Sequence, residues 1–159
     1  MPDQFPKQLL LNFPAHPEFN FSNFVISQGS RFAFEAAKNF CTQSQTLYHS
    51  LFLFGQENLG KTHLLLSIGN LVVERGSRAI YIKGGDFSKK IGEGKSLQEQ
   101  QTQLMDVDYF ILDDVEEMAS SIALKKSFIT SITPLLTMGA RLLLQVVCLR
   151  KKLRMRKVI

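Results

Sequence analysis

Cysteine is scarce. The chain has two in 159 residues, Cys41 and Cys148. Two thiols cannot build the disulfide framework of a small secreted domain, so a reducing, cytoplasmic setting is expected. Long apolar runs are missing too. The longest, such as LLLQVVCL between Arg141 and Arg150, fall well short of the roughly 20 residues a membrane-spanning helix needs. No membrane is therefore expected among the partners. No charged-then-apolar segment of signal-peptide type opens the chain, and there is no internal repeat or low-complexity stretch. Hydrophobic residues make up 45% and charged residues 21%. These are globular proportions, which exclude a disordered chain and a coiled coil. A mass of 18.0 kDa suits one domain.

A charge excess is absent from the body of the chain. The formal net charge is +5, but residues 149–159 (LRKKLRMRKVI) hold six Lys/Arg and no acid. The rest carries 13 basic against 14 acidic side chains. The pI of 9.3 thus describes a basic tail, expected to be a solvated end, and not a folded nucleic-acid-binding face.

What is present is an alternation of strands and helices. Residues 1–29 read as an irregular leader with Pro2, Pro6, Pro14 and Pro17 and the aromatic series Phe13, Phe19, Phe21 and Phe24. Residues 30–40 read as a helix with Ser30 as candidate N-cap. Leu51 to Phe54 is an apolar run ending at Gly55, which reads as a buried strand. Leu64, Leu65, Ile68, Leu71 and Val72 recur at helical spacing between Lys61 and Arg75, and Gly76 ends that helix. Further strands are expected at 78–83, 107–113 and 141–147, with short helices in 86–105. A helix over 122–138 is expected to be interrupted by Pro134. The alternation predicts an α/β fold, a parallel sheet with helices on both faces.

Residues 55–62 read GQENLGKT, the pattern G-x-x-x-x-G-K-[ST] between a strand and a helix. Such a loop turns its backbone N–H groups onto a phosphate, and glycines tolerate the necessary backbone angles. The helix opening at Lys61 points its positive end at the anion. Lys61 is expected to reach the β- and γ-phosphates, and Thr62 to offer its hydroxyl to Mg²⁺. The plain alternative is a glycine-bounded strand-to-helix turn with an exposed lysine. Glu57 places a negative charge in the loop.

Residues 109–114 read YFILDD, an apolar strand running into two acids. Ligands of parallel α/β sheets bind at that end of the strands. Asp113 is the candidate metal-side acid. Asp114 is the candidate catalytic residue, orienting an attacking water. A solvated turn is the plain alternative, and Glu116 and Glu117 read as a solvated helix start.

Together these residues resemble the DnaA-like branch of the AAA+ ATPases. FNFSNFVISQGSRFAFEAA (19–37) is similar to that branch's nucleotide-base motif. GQENLGKTHLLLSIGN (55–70) is similar to its Walker A segment and the helix after it, and VDYFILDD (107–114) to its Walker B strand. The resemblance implies a P-loop NTPase core over 19–148 that binds ATP or ADP with Mg²⁺. It implies cofactor contacts at Phe24, Val25, Gly55, Asn58, Gly60, Lys61, Thr62 and His63, and metal contacts at Thr62 and Asp113. Within the leader, residues 1–18, Gln8 to Phe13 (QLLLNF) resembles a sliding-clamp-binding peptide, with Gln8, Leu11 and Phe13 as anchors. A clamp peptide ahead of such a core is similar in layout to the Hda-type regulatory inactivators of DnaA. The partners implied are DnaA and the sliding clamp, with indirect DNA contact and a homo-oligomer both compatible. The plain alternative for 8–13 is an apolar segment packed on the core.

The sequence also departs from the family. Asn58 stands where its middle Walker A glycine falls, and Asn is the next best residue for a left-handed conformation. Gln145 is the only polar residue near the sensor 1 position. The eleven residues of 149–159 hold no arginine finger and no helical lid, so intrinsic ATPase activity is expected to be weak at most. The expected function is nucleotide-dependent regulation of chromosomal replication initiation. Two rivals stand beside it: a DnaA-type or helicase-loader-type ATPase contacting DNA, and a non-hydrolysing interaction module.

Overall fold

The computed structural model describes residues 17–42, 49–87, 107–118, 122–137 and 139–147. The candidate clamp peptide at 8–13, most of the expected short-helix region and the basic tail lie outside the described residues. The elements run α1 (Arg31–Thr42), β1 (Ser50–Gly55), α2 (Lys61–Glu74), β2 (Ala79–Lys83), β3 (Tyr109–Asp113), α3 (Ile122–Thr137) and β4 (Arg141–Val147). Two 3-10 turns, Gly84–Asp86 and Val115–Met118, follow β2 and β3.

The four strands form one parallel sheet in the order β1-β4-β3-β2. Strand residues alternate between faces, and two clusters follow from that. On one face Leu53, Ala79, Tyr109 and Ile111 pack under α1 and α2, against Phe34, Ala37, Phe40, Leu65, Ile68 and Val72. On the other, Ile80, Ile82, Phe110, Leu112 and Leu142 pack with Ile132 and Phe128 of α3 and with Phe87. β3 is buried along its whole length, as a central strand covered on both sides must be. Among the described residues no helix is long and apolar enough to cross a membrane.

Three expectations need correction. β1 is not a buried strand: among the described residues it has one neighbour, β4, and lies at the sheet edge. Phe52 and Phe54 are 52% and 65% exposed and stack on each other, while Leu53 alone is buried in that strand. A short apolar run does not reveal which of its faces is covered. Pro134 does not interrupt α3, which continues to Thr137. Only the last turn lies beyond the proline, so a single backbone bond of the helix ladder is forfeited. Thr130, Thr133 and Thr137 bond their hydroxyls to the carbonyls of Lys126, Ile129 and Pro134, along that same stretch. Ser30 stands at the start of α1, but its hydroxyl accepts from the N–H of Ser27 (2.8 Å) in the preceding turn.

Candidate functional site

The loop between β1 and α2 is built on two left-handed residues, Asn58 (φ 58°) and Gly60 (φ 78°). Asn58 takes the conformation expected of it. The two kinks curl the backbone of residues 58–60 ahead of the helix. The first bond of α2 runs from Leu64 N–H to the Gly60 carbonyl (3.0 Å). The N–H groups of the helix's opening turn therefore have no intrahelical partner, and that turn holds no acid. Lys61 is 8% exposed and donates its ammonium to the Gln56 carbonyl within the loop. That is not the solvent-exposed lysine of a plain turn. Glu57 is exposed, so water screens its charge.

The leader docks on this loop. The Phe24 ring lies against Gly60, where an added Cβ would stand 2.7 Å from the ring edge. It stacks on Phe34 of α1 and meets His63 edge-on at 5.2 Å. Phe19 also meets the imidazole edge-on at 5.2 Å. The His63 Nε2 faces the Asn20 carbonyl (3.1 Å) and Asn23 Oδ1 (3.0 Å). A carbonyl can only accept, so Nε2 carries the proton. Asn70, two turns further along α2, donates to the Phe19 carbonyl (2.6 Å). His63 and Asn70 thus fasten the leader to the helix that follows the loop. Asn20, Asn23 and Asn70 were not singled out from sequence, because their partners lie 40 to 51 positions away.

Leader, α1, β1 and loop enclose an open cleft of about 690 Å³. Its wall brings together Phe24, Val25, Asn58, Gly60, Lys61 and His63 of the expected cofactor residues. Gly55 and Thr62 neighbour that wall in the chain and are not part of it. Val25 stands 86% exposed, an apolar side chain with no protein cover. Phe32, Phe52, Phe54 and Leu59 also line the cleft. Sequence reasoning missed them as lining, having read the β1 pair as core.

Asp113 and Asp114 sit at the carboxyl end of β3. β4 separates β3 from β1, so the acids and Gly55 share one sheet edge, about 10 Å apart at a strand spacing of ~4.8 Å. Asp113 is fully buried. Its Oδ2 accepts from the Tyr81 hydroxyl (2.8 Å) and its Oδ1 from the Asp114 N–H (3.1 Å). Burial, with the Asp113 charge beside it, holds the Tyr81 hydroxyl well above its usual range, so it stays a donor. Tyr81 was not singled out either. Its strand neighbour is Ile111 and that of Asp113 is Lys83, so only the strand pairing places the two on one face.

Asp114 is partly buried with φ 52°. Its carboxyl is raised above the ordinary value of 3.8, first by burial, then by the charges of Asp113 and Glu116, with Lys83 opposing. Gly84 is pressed against the Asp114 carbonyl, leaving no room for a Cβ. Glu117 is more than a solvated turn residue, since its Oε2 accepts from the Gly85 N–H (2.8 Å) and ties the two 3-10 turns together.

Among the described residues no group of three His, Cys, Asp or Glu could cage a metal ion. Magnesium rarely needs such a cage. It takes one or two protein oxygens, and phosphates and waters complete its shell, and the Thr62 hydroxyl and Asp113 carboxylate are oxygen donors of that kind. The left-handed loop, its lysine and the apolar cleft fit a nucleotide in the same sense.

A phosphate loop between the first strand and its helix, with paired acids ending a strand two places away, defines a P-loop NTPase core of the AAA+ type. The chain belongs to the Bacterial DnaA ATPase domain family, which it matches over residues 15–155. It is 37% identical over 116 residues to the chromosomal replication initiator protein DnaA of Thermotoga petrophila, covering 69% of this chain and 26% of that one. Among solved structures it is similar to AMPPCP-bound DnaA from Aquifex aeolicus, with TM-score 0.75 and 28% identity over 83% of this chain and 43% of the other. The DnaC helicase loader shares the fold at TM-score 0.66 and 17% identity, over 82% of this chain and 77% of the loader. The chain spans about a quarter of the length of the curated relatives it matches.

Proposed function

We propose that this chain binds ADP or ATP with Mg²⁺ and acts as a nucleotide-dependent module in the regulation of chromosomal replication initiation. One observation carries the nucleotide reading: the leader and the phosphate loop converge on a single cleft, apolar at the Val25 end and cationic at Lys61. The base belongs against Phe24 and Val25, and the phosphates at the N–H groups of 58–62 and the Lys61 ammonium. His63 holds the leader in place for the base. Thr62 and Asp113 would hold Mg²⁺, which neutralises phosphate charge when bound, and Asp114 is the acid placed to orient a water. AMPPCP in the Aquifex DnaA structure supports the same ligand class.

Titration calorimetry with Mg·ADP tests this. Lys61→Ala should weaken binding at least about tenfold, since a hydrogen bond to a charged partner is lost. Equal affinity in wild type and variant would remove the phosphate-loop reading.

The regulatory part of the proposal rests on the leader. QLLLNF at 8–13 resembles a sliding-clamp-binding peptide in sequence, and would anchor in a clamp pocket through Gln8, Leu11 and Phe13, with DnaA as the protein acted on. An extended peptide concentrates its binding in a few anchors. A pull-down on sliding clamp should retain wild type and lose Gln8→Ala/Phe13→Ala. Equal behaviour of the two would leave a DnaA-type nucleotide module without the clamp link.

A further inference from the structure

The hydroxyl of Tyr81 has no counterpart in the functions assigned so far. It comes from β2, on the neighbouring strand, and donates to Oδ2 of a carboxylate with no solvent exposure. The Asp114 N–H holds the other oxygen. The last torsion of a carboxylate side chain is broad and roughly two-fold, so a bond to each oxygen narrows it. Here one bond comes from the chain's own next residue and the other from a different strand. Removing the second leaves the Asp114 N–H as the one hydrogen bond that orients the buried carboxylate.

We propose that Tyr81 is a positioning residue for the magnesium-nucleotide site: it fixes the Asp113 carboxylate in the one orientation from which that residue serves the metal. The inference rests on the nucleotide reading above. Outer groups that orient a metal-side ligand commonly change metal affinity by about 10–100-fold when removed. The ring of Tyr81 is separately part of the apolar packing under α2, so Tyr81→Phe deletes the hydroxyl and keeps the packing.

The experiment measures ADP affinity of the full chain by calorimetry across a Mg²⁺ series and in chelator. Tyr81→Phe should raise the Mg²⁺ concentration for half-maximal enhancement about tenfold, with ADP affinity in chelator unchanged. In an Asp113→Asn background the same substitution should have no further effect, because it acts through that carboxylate. An unaltered Mg²⁺ requirement, with or without a lower melting temperature, would overturn the proposal. So would additive effects of the two substitutions, or loss of fold in Tyr81→Phe, either of which makes the hydroxyl a structural bond only. A wild type that binds ADP without any response to Mg²⁺, or does not bind it, overturns the underlying reading instead. The two failures are thus distinguished in the wild-type titration.

Discussion

Gly60 answers two constraints at once. Its φ of 78° lies in the region that L side chains resist, and the Phe24 ring occupies the space a Cβ would take. The first costs an alanine about 1–2 kcal/mol. The second forces Phe24 off His63 and Phe34. Gly60→Ala should therefore lower stability to urea by more than the backbone term alone. Adding Phe24→Ala should recover the steric part and leave the conformational part. If both substitutions simply add, the ring contact is not what Gly60 protects. Asp114 shows the opposite economy. Its raised carboxyl means that the folded state binds its proton more tightly than the unfolded chain. The charged form is thus a penalty, present above the folded pKa and relieved as pH falls through it. Asn tolerates the same left-handed backbone. Asp114→Asn should melt at or above the wild-type temperature at neutral pH, and the gap should close as pH falls toward the ordinary carboxyl value. A variant that melts lower at neutral pH would contradict the sign of that shift.

The elements are joined where helix ends meet cations. α1 has no basic residue in its last turn, where a helix carries partial negative charge. Arg75 at the end of α2 donates to the Cys41 carbonyl (3.0 Å), and Arg141 at the start of β4 donates to the Phe40 carbonyl (2.6 Å). The Arg141 guanidinium also lies over the rings of Phe40 and Tyr109, 5.6 Å from each centre, and donates to the Tyr109 hydroxyl (3.2 Å). Arg141→Ala should cost about 2 kcal/mol in urea unfolding, the usual scale of a hydrogen bond to a charged group. Arg141→Lys should recover only part, since an ammonium cannot stack and fork together. Full recovery by lysine would mean that charge alone matters. The element order itself was legible in the sequence. LLLSIGNLVV announces its helix by period, and YFILD reads as a strand from its shortness, its aromatic residues and its flanking turn residues. What periodicity could not carry was sheet order. Without it β1 reads as core although among the described residues it is an edge, and Tyr81 reads as another strand residue although its hydroxyl meets Asp113. The candidate site divides in the same way. Loop residues 55–62 declare themselves by local pattern, while the Phe24–Gly60 contact and the His63–Asn23 bond join positions 36 and 40 apart.

On the scale of the molecule the sheet separates two environments. The leader, α1, α2 and the cleft lie with one cluster, and α3 with the other. A ligand in the cleft touches elements that are far apart in sequence but share a face. It should therefore stabilise them together and leave the opposite face little changed. The leader is the informative element, since it has no strand or helix over 17–29. It is held by side-chain contacts at His63, Asn70 and Gly60, so its amides should open at low free energy in the free chain. Mg·ADP at a hundredfold excess over its dissociation constant adds about 2.7 kcal/mol to any opening that releases the ligand. Hydrogen exchange should slow by up to about 100-fold in 23–36 and 51–64 on adding Mg·ADP. Exchange in α3 should change only where it proceeds through global unfolding. His63→Ala, which removes the bond to Asn20 and Asn23, should speed leader exchange without ligand and reduce the protection that ligand confers. Protection confined to 55–62, with the leader unaffected, would mean that the nucleotide engages the phosphate loop alone and that Phe24 and Val25 take no part in holding the base.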